Sequence, residues 1–118
     1  MLAKKLAIEI HQMSLSLPKY EPYEEGSQIR RSSKAIASNL VEGFARRKYK
    51  NEFLYYITIC IGECDETQVH LEMLFETGSL KDEKLFDCLG QEYNRLGRML
   101  NRFHDSVMKK HISPKSSI

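Results

Sequence analysis

Between Pro22 and Pro114 the chain contains no proline, and that single fact removes most alternatives to long helices. Within the run, two segments repeat apolar residues with strict helical spacing. Leu54, Ile57, Ile61, Cys64, Gln68, Leu71 and Phe75 step by three and four, and Phe86, Leu89, Tyr93, Leu96, Leu100, Phe103 and Val107 do the same. Such stripes make knobs-into-holes seams between helices. No period-two alternation of useful length competes with them.

The periodicity predicts four helices. The first runs from about Leu2 to Leu17 on a stripe of Leu2, Leu6, Ile10, Met13 and Leu17, and is ended by the loop "PKYEPYE". The second runs from near Ser27 to Arg46 and the third from Tyr49 to Thr77. Gly78 is the expected cap of the third helix. "SLKD", with Ser79 and Asp82, resembles a capping box opening the fourth helix, which reaches about Lys110. Short loops make consecutive helices antiparallel neighbours. The fold class read from the sequence is therefore all-α, an up-down-up-down antiparallel four-helix bundle. Residues 1–112 form its single domain and residues 113–118 a disordered tail.

A monomeric bundle helix needs one apolar stripe, and helix 3 has two. Tyr55, Ile59, Gly62, Glu66, Val69 and Met73 lie far around the helix from the first seam. Gly62 costs helix stability, so close backbone approach is its expected use. Glu66 inside the stripe needs a partner, and the arginines of helix 2 (Arg30, Arg31 or Arg46) are the candidates. Helix 2 presents a side of small and polar residues, Ser32, Ala35, Asn39 and Glu42, with Arg46 four residues after Glu42. These ten residues, Ser32, Ala35, Asn39, Glu42, Tyr55, Ile59, Gly62, Glu66, Val69 and Met73, form the expected subunit interface of a homo-oligomer. Tight packing within one chain is the alternative reading.

Charge is unevenly distributed although the net is only +2. Residues 1–50 carry ten Lys/Arg against five Asp/Glu, residues 51–90 two against nine, and residues 91–118 six against two. Three basic groups stand out: Arg30, Arg31 and Lys34; Arg46, Arg47, Lys48 and Lys50 around Tyr49; and Arg95, Arg98 and Arg102 on helix 4. Basic stripes with an interleaved aromatic suit phosphates and a stacked base, so RNA or DNA is one expected partner. Ordinary solvated helices also carry Lys and Arg, and a protein partner without nucleic-acid affinity is the alternative.

Nothing in the sequence suggests an enzyme or a cofactor. His11, His70, His104 and His111 are scattered, and Glu66 with His70 reads as a surface pair. No phosphate-binding glycine loop occurs. Cys60, Cys64 and Cys88 read as reduced, buried thiols rather than as a metal site, lacking Cys-x-x-Cys spacing. The first residues lack the uncharged core of a signal peptide and no apolar run is long enough to span a bilayer, so a cytoplasmic location without a membrane partner is expected.

"SQIRRSSKAIASNLVEGFARR", the aromatic-apolar helix after it, and "IGECDETQVHLEML" together resemble the four-helix-bundle family of 23S rRNA-intervening-sequence proteins. The matching positions are Gln28, Arg30 or Arg31, Ile36, Asn39, Glu42, Gly43, Arg46, Gly62, Glu66 and Leu71, with "LGRML" of helix 4. The chain departs from the family pattern in lacking Trp, in Glu63 after Gly62 where Ser is frequent, and in Lys48 where a Ser cap is common. The resemblance implies a small bacterial protein, in some species encoded within an insertion in the large-subunit ribosomal RNA gene, and a ring-like homopentamer. It also implies distant kinship with nucleic-acid-binding accessory proteins of diversity-generating retroelements. It implies no catalytic residue.

Overall fold

A computed structural model describes residues 1–110; the expected tail lies outside the described residues. Helix α1 spans Leu2–Leu15, α2 Glu25–Ala45, α3 Lys50–Glu76 and α4 Glu83–Lys110, with a single 3-10 turn at Glu21–Tyr23. Each helix packs on its neighbours in chain order, α4 also leans on α1, and the diagonal pairs keep their backbones apart and meet only through core side chains. This is the antiparallel four-helix bundle that the spacing predicts, 45 × 23 × 18 Å in extent.

The α4 seam is buried as expected: Leu89, Tyr93, Leu96, Leu100 and Val107 are inside, with Phe86 and Phe103 at its margins. They meet Leu6, Ile10 and Met13 of α1 and Ile29, Ile36 and Leu40 of α2. The α3 seam is rotated from its predicted position. The fully covered line is Phe53, Ile57, Cys60, Cys64, Thr67, Leu71 and Leu74, while Leu54, Ile61, Gln68 and Phe75 are only half-buried. The cause is that α3 has two neighbours. The apolar stripe faces α4, whereas the side toward α2 is built from small and polar groups. There Thr67 shares a 2.8 Å hydrogen bond with Ser32, and the Cys60 thiol donates to the Ile36 carbonyl at 3.4 Å.

The helix ends also differ in detail. Asp82, not Ser79, caps α4: its carboxylate accepts from the Leu85 amide at 3.1 Å. Ser79 is buried and lies 3.4 Å from the Tyr20 hydroxyl. Gly78 does end α3, taking the left-handed φ of +84° that glycine adopts without strain. The close helix crossing occurs at Gly43, where a Cβ would sit 2.9 Å from Tyr56 Cβ. Around Gly62 a Cβ would meet nothing within 4 Å, so the expected backbone approach there is not made inside this chain.

Two buried groups carry consequences for stability. Tyr93 is fully buried and its hydroxyl has no hydrogen-bond partner among the described residues. Burial pushes its pKa up, and the nearby Ser33 hydroxyl only partly opposes that. Burial likewise pushes the Cys60 thiol up to about 12 and the Cys64 thiol up to about 11. Cys88 corrects the sequence reading, because it faces solvent on α4.

Candidate nucleic-acid and assembly surfaces

The antiparallel topology sorts the charges. Lys50 of α3 reaches the Met108 carbonyl at the end of α4 (2.8 Å), and Phe53 packs edge-to-face on Phe103 with centroids 5.5 Å apart. One end of the bundle therefore gathers the start of α1, the α2–α3 junction and the end of α4. The other end gathers the α1–α2 loop, the end of α3 and the start of α4, where Phe75 stacks on Phe86. The half containing residues 1–11, 34–62 and 95–110 holds twelve Lys/Arg against four Asp/Glu. The half containing residues 12–33 and 63–94 holds five against twelve. A nearly neutral chain is thus a rod with one strongly basic and one strongly acidic half.

Eight of the ten expected phosphate-binding residues lie in the basic half: Lys34, Arg46, Arg47, Lys48, Lys50, Arg95, Arg98 and Arg102. Lys48, Arg98 and Arg102 are exposed. Arg47 lies over the Phe44 ring at 4.4 Å and donates to the Phe44 carbonyl. Arg46 pairs with Glu42 and sits 5.2 Å over the Tyr56 ring, while Arg95 pairs with Glu92 at 3.5 Å. Tyr49, the aromatic between them, is exposed.

Arg30 and Arg31 separate from that group. Arg30 turns toward α1 and donates to the Ser14 hydroxyl at 3.1 Å. Arg31 turns toward α3 and pairs with Glu66 and, at 3.3 Å, with Glu63. This is the partner that the stripe position of Glu66 requires. His70 extends the network, with Nε2 3.3 Å from Glu66 and Nδ1 2.6 Å from Glu25. Only the imidazolium donates to both carboxylates at once. Burial by itself would raise the Glu66 pKa. Hydrogen bonds from His70 and Arg31 outweigh it and hold the carboxyl below its ordinary value.

The second stripe of α3 points away from the core. Tyr55, Val69 and Met73 are 62%, 54% and 43% exposed, and Ile59 and Glu66 are half-buried. On α2, Glu42 is exposed, Ala35 and Asn39 are half-buried, and Asn39 returns its amide to the Ala35 carbonyl at 2.8 Å. Ser32 does not belong to this surface: it is fully buried against Thr67, where two helices of one chain touch. A groove between α1 and α2, which the sequence did not suggest, has a cavity volume of about 420 Å³ and is lined by Lys4, Ala7, Ile8, His11, Lys34 and Ala37 among others. Apolar residues on two helices with no shared period made it invisible to a pattern search.

Among the described residues no group of three or more His, Cys, Asp or Glu is placed to hold a metal, and no helix is long and apolar enough to cross a membrane. What the bundle offers is surface: an apolar helix face, an apolar groove and a charged rod. Fold and helix packing together define a small all-α protein, an antiparallel four-helix bundle. The chain belongs to the 23S rRNA-intervening sequence protein family, whose model matches residues 1–102. No protein with a curated description matches it. Among solved structures it is similar to a protein of unknown function from the S23 ribosomal protein family of Bacteroides thetaiotaomicron VPI-5482. That pair shares 19% identity and a TM-score of 0.74, covering 87% of this chain and 94% of the other. At that identity the likeness supports the fold.

Proposed function

We propose that the chain is a non-enzymatic assembly protein that associates with copies of itself through the outer face of α3 and offers its basic half to the phosphates of nucleic acid. The observation that carries the reading is the sorting of charge. Twelve cations against four anions collect on one half of a rod whose net charge is near zero. A field of this kind concentrates polyanions and gives contacts that fall steeply with salt. No base-reading motif accompanies it, so binding goes through the backbone and depends weakly on sequence. Several copies in one assembly multiply modest contacts by avidity. The family's description ties its members to a sequence intervening in 23S rRNA, which makes RNA the first nucleic acid to try.

The exposed apolar face of α3 also supports a second reading, a scaffold for another protein with no affinity for nucleic acid. Electrophoretic mobility shift at about 50 mM salt, where phosphate contacts are strong, separates the two. A shift with single- or double-stranded RNA or DNA supports the first. No shift with any of the four overturns it in favour of the scaffold.

A further inference from the structure

The Arg30–Ser14 hydrogen bond sets the register of the antiparallel helices α1 and α2. Seven residues, about two helical turns, lead back from Ser14 to Ala7 and on from Arg30 to Ala37, so the two alanines stand level at the same gap. Neither side chain is large enough to fill it, and a groove of about 420 Å³ results. Lys4 lies three residues to one side of that level and Lys34 three residues to the other. With a rise of about 1.5 Å per residue, the two exposed lysines are about 9 Å apart along the bundle, one at each end of an apolar floor. His11 and Gln12 enter at the Lys34 end, and no carboxylate among the described residues lines the groove.

From this arrangement we propose that the groove takes one unstacked base of single-stranded nucleic acid, with the phosphates on either side of that nucleotide held by Lys4 and Lys34. The inference rests on the phosphate-binding reading and names the form of nucleic acid and its place. A base has flat apolar faces and polar edges. Ala7, Ala37 and the exposed Ile8 cover a face, and the half-buried His11 imidazole offers a ring to stack on. The Gln12 amide both donates and accepts, so it meets the edge of any base.

The pair of cations selects among occupants. A fatty acid brings one charge at one end. A nucleotide within a strand has a phosphate on each side of its base, as the groove has a lysine at each end of its floor. Bases inside a duplex are stacked and paired, and entering a pocket costs their unstacking. The groove therefore adds a preference for single strands, without reading sequence, to a basic half that attracts both forms.

Fluorescence anisotropy with a labelled single-stranded RNA, and with the duplex of that strand and its complement, tests the assignment. Ala37→Leu fills the groove and His11→Ala removes the stacking ring; both keep every lysine and arginine, and circular dichroism checks their helicity. The wild type is expected to bind the single strand more tightly than the duplex. Each variant should weaken single-strand binding roughly tenfold, the order set by one stacked base, and leave duplex binding as it was. The ratio of the two affinities is the quantity read, so a change in assembly, which acts on both, does not imitate the effect. If a folded variant leaves the ratio unmoved, the groove assignment is wrong while the phosphate reading stands. With the ratio unmoved, a lower assembled mass of Ala37→Leu in light scattering gives the groove to a protein chain, and its loss of fluorescent fatty-acid binding gives the groove to a lipid; either overturns the assignment. A wild type that binds neither RNA overturns the phosphate reading itself, and the groove assignment with it.

Discussion

Gly62→Ala separates what α3 does for its own chain from what it does for an assembly. Inside the chain the added Cβ meets nothing within 4 Å. The substitution therefore carries only the backbone term, a helix gain of about 1 kcal/mol for Ala over Gly in a helix interior. For a domain of this size that corresponds to a rise in melting temperature of roughly 4 °C. In an assembly the same methyl group stands where a neighbouring copy approaches, and overpacking a fitted contact costs about 1–3 kcal/mol. One substitution thus stabilises the fold and weakens the oligomer. The assay is urea denaturation at concentrations where the protein is dissociated, paired with light scattering at concentrations where it is assembled. Gly43→Ala is the internal contrast, because there the Cβ would press on Tyr56 at 2.9 Å. It should destabilise the dissociated chain. If Gly62→Ala lowers the stability of the dissociated chain, α3 does not stand open at that point. If it raises stability but leaves the oligomer unchanged, Gly62 lies outside the interface.

Three further outcomes are expected. Tyr93→Phe removes a buried hydroxyl that has no partner and keeps the ring, so it should stabilise by about 1 kcal/mol in urea denaturation; a loss of stability would show that the hydroxyl is hydrogen-bonded after all. Cys60 and Cys64 have folded pKa values raised above the ordinary thiol value of 9.0, to about 12 and about 11. The unfolded chain releases those protons first, so stability should be undiminished below pH 9 and fall as pH rises toward 12. Cys60→Ala with Cys64→Ala should flatten that fall in denaturation curves measured across the range. Glu66→Ala should cost the dissociated chain no more than about 1 kcal/mol by chemical denaturation, since its side chain is 40% exposed and its pair with Arg31 is screened; a loss of 3 kcal/mol, the order seen for a broken buried pair, would contradict this.

How far the sequence could be read follows from what each helix touches. Helix α4 is amphipathic in one direction, so its apolar stripe and its buried stripe coincide. Helix α3 lies between α2 and α4. Its α2 side presents Thr67 to Ser32 and Cys60 to the Ile36 carbonyl, small and polar contacts that leave no hydrophobic period to follow. The capping box read into "SLKD" placed the start of α4 too early, because Ser79 is buried beside Tyr20 and Asp82 takes the capping hydrogen bond itself. Cys88 adjoins buried Leu89 in sequence, yet one step of about 100° turns it to solvent. The Glu42–Arg46 pair was legible because the two residues stand one helical turn apart, and an arginine partner for Glu66 was legible because a carboxylate in an apolar stripe needs one, although the sequence left Arg30, Arg31 and Arg46 open and the structure supplies Arg31. The polarity of the charge was not drawn from the sequence, although it follows once the charge blocks are laid on the antiparallel topology. Blocks of charge along the chain do not say which ends meet, and only the antiparallel arrangement brings residues 46–50 beside residues 102–110.

The central claim is that the basic half meets phosphates. Fluorescence anisotropy with a labelled single-stranded RNA, measured as a function of salt, tests it against a matched control. Reversing Lys48, Arg98 and Arg102 to Glu removes exposed cations from the basic half. Reversing Lys19, Lys81 and Lys84 to Glu removes them from the acidic half. The account predicts that the wild type binds with affinity falling steeply with salt. It predicts that the first set abolishes binding and that the second changes it little. Equal losses from the two sets, or binding that is indifferent to salt, would contradict it.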